Sequence, residues 1–242
     1  MMVEGANMAR EFAKHYSKPT QKHWDALEHF VGFLKAEKEN IRFVYTKPKE
    51  MRCVSMVDSN YGTNKEDRRS ISGSIFTIGG SIVRWISKIQ KSVTLSSTEA
   101  EYCALSTCAQ EVRFEQQLLE EIESHNDPAI IFEDNSGAIY LVRNRQVGPR
   151  TKHIDIRYHF IRDLVDSNKL IVNYINTELN KADILTKNVN EKIFKIHSNN
   201  IRNGTINLYN KYERVIPRIL KTNETNKVTI TGWQNTREDV RK

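Results

Sequence analysis

Cysteine is scarce: Cys53, Cys103 and Cys108 are the only three in 242 residues, an odd number with no CxxC spacing. That excludes a disulfide framework and a thiolate zinc site, and predicts a soluble protein of a reducing compartment. Long apolar runs are missing too. No stretch approaches the ~18 apolar residues of a membrane span. The N-terminal MMVEGANMAREFAKHYSK lacks the apolar core and cleavage site of a secretory signal. Apolar residues make up 38%, below the about 45–50% of ordinary globular domains, so part of the chain is expected to remain exposed or loosely ordered. No internal repeat is present, and low complexity is confined to a mildly Asn-rich C-terminal end.

Charge is present but unevenly spread. Of the formal net charge of +7, residues 191–242 carry +6, from 11 Lys+Arg against 5 Asp+Glu, which leaves +1 for the first 190 residues. A near-neutral body with a basic tail suits a polyanionic partner, because Lys and Arg release counterions from phosphates. A tail rich in Asn, Lys and Thr, without an Arg cluster or aromatic ladder, is equally compatible with a solvated segment.

Periodicity orders the rest. KHWDALEHFVGFLKAEK (22–38) places Trp24, Leu27, Phe30, Val31 and Leu34 at helical spacing, with Thr20 as the start signal. RFVYT (42–46) and MRCVSMV (51–57) are short β-prone runs. Residues 70–78 and 81–88 read as strands of a hairpin turning at Gly79-Gly80. From Ser96, the residues Tyr102, Leu105, Ala109, Val112, Leu119 and Ile122 mark one face of a long helix. AIIFED (129–134) reads as a buried strand. It is followed by a helix over 136–143, a basic loop over 143–152, an amphipathic helix carrying Ile154, Tyr158, Ile161 and Val165, a strand over 170–175 and a short helix over 181–187. That order describes a mixed-sheet α/β domain.

Four carboxylates stand where chemistry would want them. Asp58 and Asp134 end apolar runs, and strand ends are where sites form in open α/β sheets. Glu101 lies near the start of the long helix and Asp183 opens the last one. Brought together, four acids repel unless cations separate them. Mg²⁺ binds through a few carboxylates, and a pair of such ions about 3.5–4 Å apart promotes phosphodiester cleavage. Each acid also has a structural reading. Thr98-x-x-Glu101 and Ser96-x-x-Glu99 are both capping-box patterns. Asp183 suits a helix dipole, Asp134-Asn135-Ser136 a helix cap, and Asp58 a turn. Spacing alone leaves these alternatives open.

The same residues carry a family likeness. DRRSISGSIFTIGGSIVRWISKIQKSVTLSSTEAEYCAL (67–105), FEDNSGAI (132–139), RTKHIDIRYHFIRD (150–163) and KADILTK (181–187) resemble the ribonuclease H region of copia-type LTR retrotransposon Pol polyproteins. SKPTQKHWDALEHFVGFLKA (17–36) is similar to the end of the reverse transcriptase just upstream. The likeness spans about residues 8 to 190 and suggests three parts: 1–50 as a reverse transcriptase remnant, 51–190 as a ribonuclease H-like domain, and 191–242 as a basic tail poorly matched to the family.

The resemblance implies a ribonuclease H-like α/β fold, a five-stranded mixed sheet with helices on both faces. It implies hydrolysis of the RNA strand of an RNA–DNA hybrid with two Mg²⁺ ions, Mn²⁺ being a substitute. Carried over by position, the metal-holding catalytic acids are Asp58 (VDSNYG), Glu101 (EYCAL), Asp134 (EDN) and Asp183 (KADILTK). Ser59 and Asn135 become candidates for contact with 2′-hydroxyls or phosphates, and Arg150 and Lys152 for phosphate contacts, against a solvated-loop reading of the last two. His153 and His159, six apart on different helix faces, are expected to be structural, and Trp85 and Tyr102 to be core. Implied partners are the hybrid and an upstream reverse transcriptase domain, with no membrane, in the cytoplasm, a virus-like particle or the nucleus. The chain departs from the family pattern in two places: Asn60-Tyr61 replaces the second Asp and the Trp of Asp-x-Asp-Trp, and the loop NTELNKA (176–182) offers Glu178 but no His. No polymerase palm or YxDD-like motif is present. The alternative is a degenerate copy that binds nucleic acid without cutting. An integrase-type nuclease would want a third acid about 35 residues past Asp134, where Lys169 stands.

Overall fold

The computed structural model describes residues 2–40, 43–45, 47–48, 50–63, 67–123, 127–144 and 155–203. Arg150, Lys152 and His153 lie outside the described residues, as does the expected tail from residue 204 onward. Chain contacts separate a unit Met1–Ile206 from the remainder, and all described residues fall in the first unit.

Five strands form one sheet: β1 (Cys53–Asn60), β2 (Ile71–Ile78), β3 (Ser81–Ile89), β4 (Ala129–Glu133) and β5 (Leu170–Tyr174), in the order β3-β2-β1-β4-β5. The first three run antiparallel and β4 and β5 join parallel to β1, giving the expected mixed sheet. Gly79 and Gly80 take φ of +58° and +83° at the β2–β3 turn, the left-handed pair that matches the twist of a two-residue hairpin. Of the β-prone run before Pro48, the described residues 43–45 form no strand, and Phe43 instead lies against Trp85 of β3, with ring centroids 5.6 Å apart. Trp85 is thus half-buried on an edge strand rather than core, whereas Tyr102 is fully buried as expected.

Helices cover both faces. On one, α3 (Ser97–Glu123) lies across β1, β2 and β4, with α4 (Ser136–Arg143) and α5 (Asp155–Asp166) beside it. The apolar stripe Tyr102, Leu105, Cys108, Ala109, Val112 and Leu119 packs there against Val57, Phe76, Ile131 and Val172. Each buried Val, Leu, Ile or Phe among these contributes roughly 1.5–3 kcal/mol. On the other face sits α6 (Asp183–Thr186), with α1 (Ala6–Lys14) packed on α6 and β3. The helix α2 (Gln21–Glu37) starts at Thr20, whose capping box is completed by His23.

The stretch expected to open a basic tail begins instead with a helix, α7 (Glu191–Arg202), capped by Asn190. Its Phe194 meets Phe33 of α2, and Arg202 bridges Glu4 at 2.8 Å and Glu37 at 2.6 Å. Charge and Asn content concealed an amphipathic repeat in which Ile201 and His197 are buried. Among the described residues, no helix is long and apolar enough to cross a membrane.

Candidate active site

Parallel pairing brings the first two acids together. The register that sets Met56 of β1 beside Phe132 of β4 carries Asp58 and Asp134 side by side, each two residues further along. Asp58 is buried, and Asp134 is half-buried just past the end of its strand. Glu101 reaches the same point from the second turn of α3. One oxygen of each of Asp58, Glu101 and Asp134 lies within 4.8 Å of the others.

The competing cap readings are resolved by hydrogen bonds. The Ser96 hydroxyl accepts the Glu99 backbone N–H, and Glu99 Oε2 accepts the Leu95 N–H at 2.8 Å, so Glu99 caps α3 and Glu101 is left for the site. Likewise Asn135 caps α4, its Oδ1 accepting the Ala138 N–H at 2.9 Å, so Asp134 is not the capping residue. Ser59 is buried, its hydroxyl beside Glu101.

Asp183 arrives on α6 at the opposite side of Asp58. A helix of four residues has little stability of its own, and polar contacts fix it. Asn180, fully buried, donates to the Val57 carbonyl at 2.8 Å and accepts the Ala182 N–H. Asn60 donates to the Thr186 carbonyl, and the Thr186 hydroxyl donates to Asp58 Oδ2. The departure from the second family acid therefore has a structural role, tying β1 to α6. Lys187 closes the group, its Nζ 2.9 Å from Asp183 Oδ1 and 3.9 Å from Asp58 Oδ1. Asp183 stands outside the close trio and is joined to it through Asp58 and this lysine.

Burial is the main force on these groups. It raises the Glu101 carboxyl far above the usual range, with Glu133, Asp58 and Asp134 adding repulsion and the Ser59 hydroxyl opposing. Asp58 is raised by burial and then by Asp183, while Lys187 and Thr186 pull it down. Burial raises Asp183 as well, against the pull of Lys187. The Lys187 ammonium, despite its own burial, is held more firmly protonated by Asp58 and Asp183.

A fifth acid joins them. Glu133 is completely buried and raised by burial; its Oε1 accepts the Asn135 N–H at 3.0 Å, and its Oε2 has no hydrogen-bond partner among the described residues. Sequence reading missed Glu133 and Lys187. Period-two alternation in AIIFED puts Glu133 on the core face with Ala129 and Ile131. The i, i+4 spacing from Asp183 was the signal for Lys187.

The donor set is all oxygen, with Glu101 Oε2 buried and without a hydrogen-bond partner among the described residues. That chemistry fits a hard divalent cation. Elsewhere, His159 is exposed on α5, and Glu178 is exposed in the loop before α6.

No family model matches the chain. It is 34% identical over 185 residues to the retrovirus-related Pol polyprotein from transposon TNT 1-94 of Nicotiana tabacum, covering 76% of this chain and 14% of that protein. The polyproteins from transposons RE2 and RE1 of Arabidopsis thaliana are 33% and 35% identical over 190 and 178 residues, covering 78% and 73% of this chain and 13% and 12% of theirs. The chain thus spans about one seventh of the length of these relatives. Among solved structures, LC11-RNase H1 isolated from compost matches with a TM-score of 0.44 at 16% identity, covering 56% of this chain and 92% of that one. The N-terminal RNase H domain of rv2228c from Mycobacterium tuberculosis gives 0.39 at 12% identity, covering 60% and 96%. With most of its length aligned to TNT 1-94, RE1 and RE2, the chain is a homologue of one segment of copia-type retrotransposon Pol polyproteins.

Proposed function

We propose that the chain is a metal-dependent endonuclease that hydrolyses the RNA strand of RNA–DNA hybrids during retrotransposon reverse transcription. The observation that carries this reading is the convergence of Asp58, Glu101 and Asp134, from three separate elements, to within 4.8 Å. Their order in the chain, and that of Asp183 after them, follows the family motifs.

When bound, two divalent cations supply the charge that activates water and stabilises the leaving oxygen. Asp58, Glu101 and Asp134 would hold one, and Asp58 with Asp183 would hold the other. The cluster offers carboxylates, so the part of these residues is to bind, orient and keep bulk water from Asp58 and Glu101, both buried. Ser59, buried beside Glu101, orients that carboxylate. The Asn135 amide nitrogen is assigned to the 2′-hydroxyl, since its oxygen serves the cap of α4. Arg150 and Lys152 take phosphates without reading sequence.

In this reading residues 51–190 form the nuclease, 1–50 descend from the reverse transcriptase end, and 191–242 are an appended basic segment. The partners are the hybrid and an upstream polymerase domain, in the cytoplasm, a virus-like particle or the nucleus.

Cleavage of a labelled RNA–DNA hybrid in Mg²⁺, comparing the wild type with Asp134→Asn, is the test. The wild type should cut the RNA strand, in Mn²⁺ as well. The variant should lose more than about 100-fold, the upper cost of losing even an outer-shell metal partner. Binding by both with cutting by neither replaces this reading with that of a non-cutting nucleic-acid module.

A further inference from the structure

Asp58, Glu101 and Asp134 form one close group, from which Asp183 is excluded. The Asp58–Asp183 side is instead spanned by the Lys187 ammonium, 2.9 Å from one carboxylate and 3.9 Å from the other. No other Lys or Arg among the described residues makes an ion pair with the four acids. Its place is set by covalent geometry. Asp183 begins α6 and Lys187 is its C-cap, so a single helical turn delivers both, and the Lys187 N–H closes on the Asp183 carbonyl. Asp58 Oδ2 is already taken by the Thr186 hydroxyl, leaving Oδ1 as the oxygen that faces the ammonium. The lysine side chain is 37% exposed while those of Asp58 and Asp183 are 3% and 8% exposed. The ammonium therefore sits between buried carboxylates on a stem that reaches solvent, with a route out.

We propose that Lys187 is the resident cation of the Asp58–Asp183 half of the site, and that it must swing out before a divalent ion enters there, so that two ions load in order. This rests on the metal-nuclease reading and deepens it. The trio takes the first ion with no cation to displace. At Asp183 an ammonium and a divalent ion compete for the same oxygens and repel each other, so the second ion binds more weakly. Lys187 is a positioning residue in this account: it holds α6 and its acid against β1 and sets the concentration at which the site becomes complete.

The test is binding of Mn²⁺ alone to the full chain, followed by the loss of the free-ion paramagnetic signal and by calorimetry, with thermal melts in chelator and in Mn²⁺. The wild type should bind one ion tightly and a second at least about tenfold more weakly, the scale on which groups around a metal alter its affinity. Lys187→Gln should tighten the second ion by about tenfold and leave the first within about twofold. In chelator it should melt below the wild type, and it should gain more from Mn²⁺. Lys187→Arg, which keeps the cation, should keep the gap between the two ions and guards against a folding defect in the first variant. An unchanged second ion in Lys187→Gln overturns the proposal. A single ion in both proteins overturns it too, yet leaves the metal reading standing on the trio. No ion in either overturns both.

Discussion

Glu115 lies on α3, away from the acidic cluster, 5% exposed and with neither carboxylate oxygen hydrogen-bonded among the described residues. Burial lifts its carboxyl to about 7, with Arg84 pulling it down and Glu111 pushing it up. The Cys53 and Cys108 thiols feel the same carboxylate, which raises both beyond the effect of burial. Because the folded chain keeps a proton that the unfolded chain releases near its ordinary value of 4.5, this group costs stability as pH rises from 4.5 to about 7, after which the cost is constant. Glu115→Gln should match the wild type near pH 4 and exceed it at pH 8 by at most about 3 kcal/mol, or roughly 6–12 °C in melting temperature. Calorimetry at both values checks it. The site's own acids differ in how plainly the sequence announced them. Asp58 and Asp134 were legible because each terminates an apolar run. Glu101 was ambiguous beside Glu99, since both follow a hydroxyl residue by three; the capping hydrogen bonds of Glu99 with Leu95 and Ser96 and the place of Glu101 beside Asp58 and Asp134 separate them. Glu133 was hidden because an acid at a strand end is ordinarily solvated, whereas here it is wholly buried.

Among elements, α6 depends most on its surroundings. It closes on β2 at Gly73, the residue paired with Asp58 across the strands. A methyl group there would stand 2.6 Å from Thr186 Cγ2, 2.9 Å from Leu185 Cβ and 3.0 Å from the Ala182 carbonyl oxygen. Backbone and Cβ atoms cannot yield as a flexible side-chain tip would, so Gly73→Ala should displace α6 and with it Asp183. We expect a loss of about 1–3 kcal/mol in stability and a fall in hybrid cleavage far larger than that destabilisation explains, measured by melting and by cleavage rate on the folded fraction. The strands and α3 were readable because their periods of two and 3.6 are carried by buried apolar side chains, and α2 because its apolar residues keep helical spacing although none is fully buried. Residues 43–45 misled because β propensity only reports fitness for a sheet, and these three described residues form no strand. The start of the tail misled in the other direction: polar composition masked the turns of α7, whose Phe194 meets Phe33 of α2, whose Arg202 pairs with Glu4 and whose buried His197 feels Lys181.

Across the whole molecule, Arg202 at the end of α7 ties that helix to the segment before α1 and to α2 by pairing with Glu4 and Glu37. Glu4 is almost fully buried, so removing its partner strands a charge away from water, whereas Glu37 loses little. Arg202→Ala should cost about 3–5 kcal/mol, seen as a melting temperature lower by roughly 6–20 °C in calorimetry of the full chain. A conservative Lys should recover part of it. The parallel pairing of β1 with β4 has a further consequence, for synthesis. Val54 meets Ile130 across 76 residues, and β5 and α6 come later still. Contacts of such separation form slowly, and a chain leaving the ribosome holds Asp58, Glu101 and Asp134 well before Asp183. When the last acid emerges, Lys187 follows four residues behind on the same turn. The nascent protein thus completes its acidic cluster and neutralises half of it in a single folding event, and a fragment that stops short of residue 183 has neither.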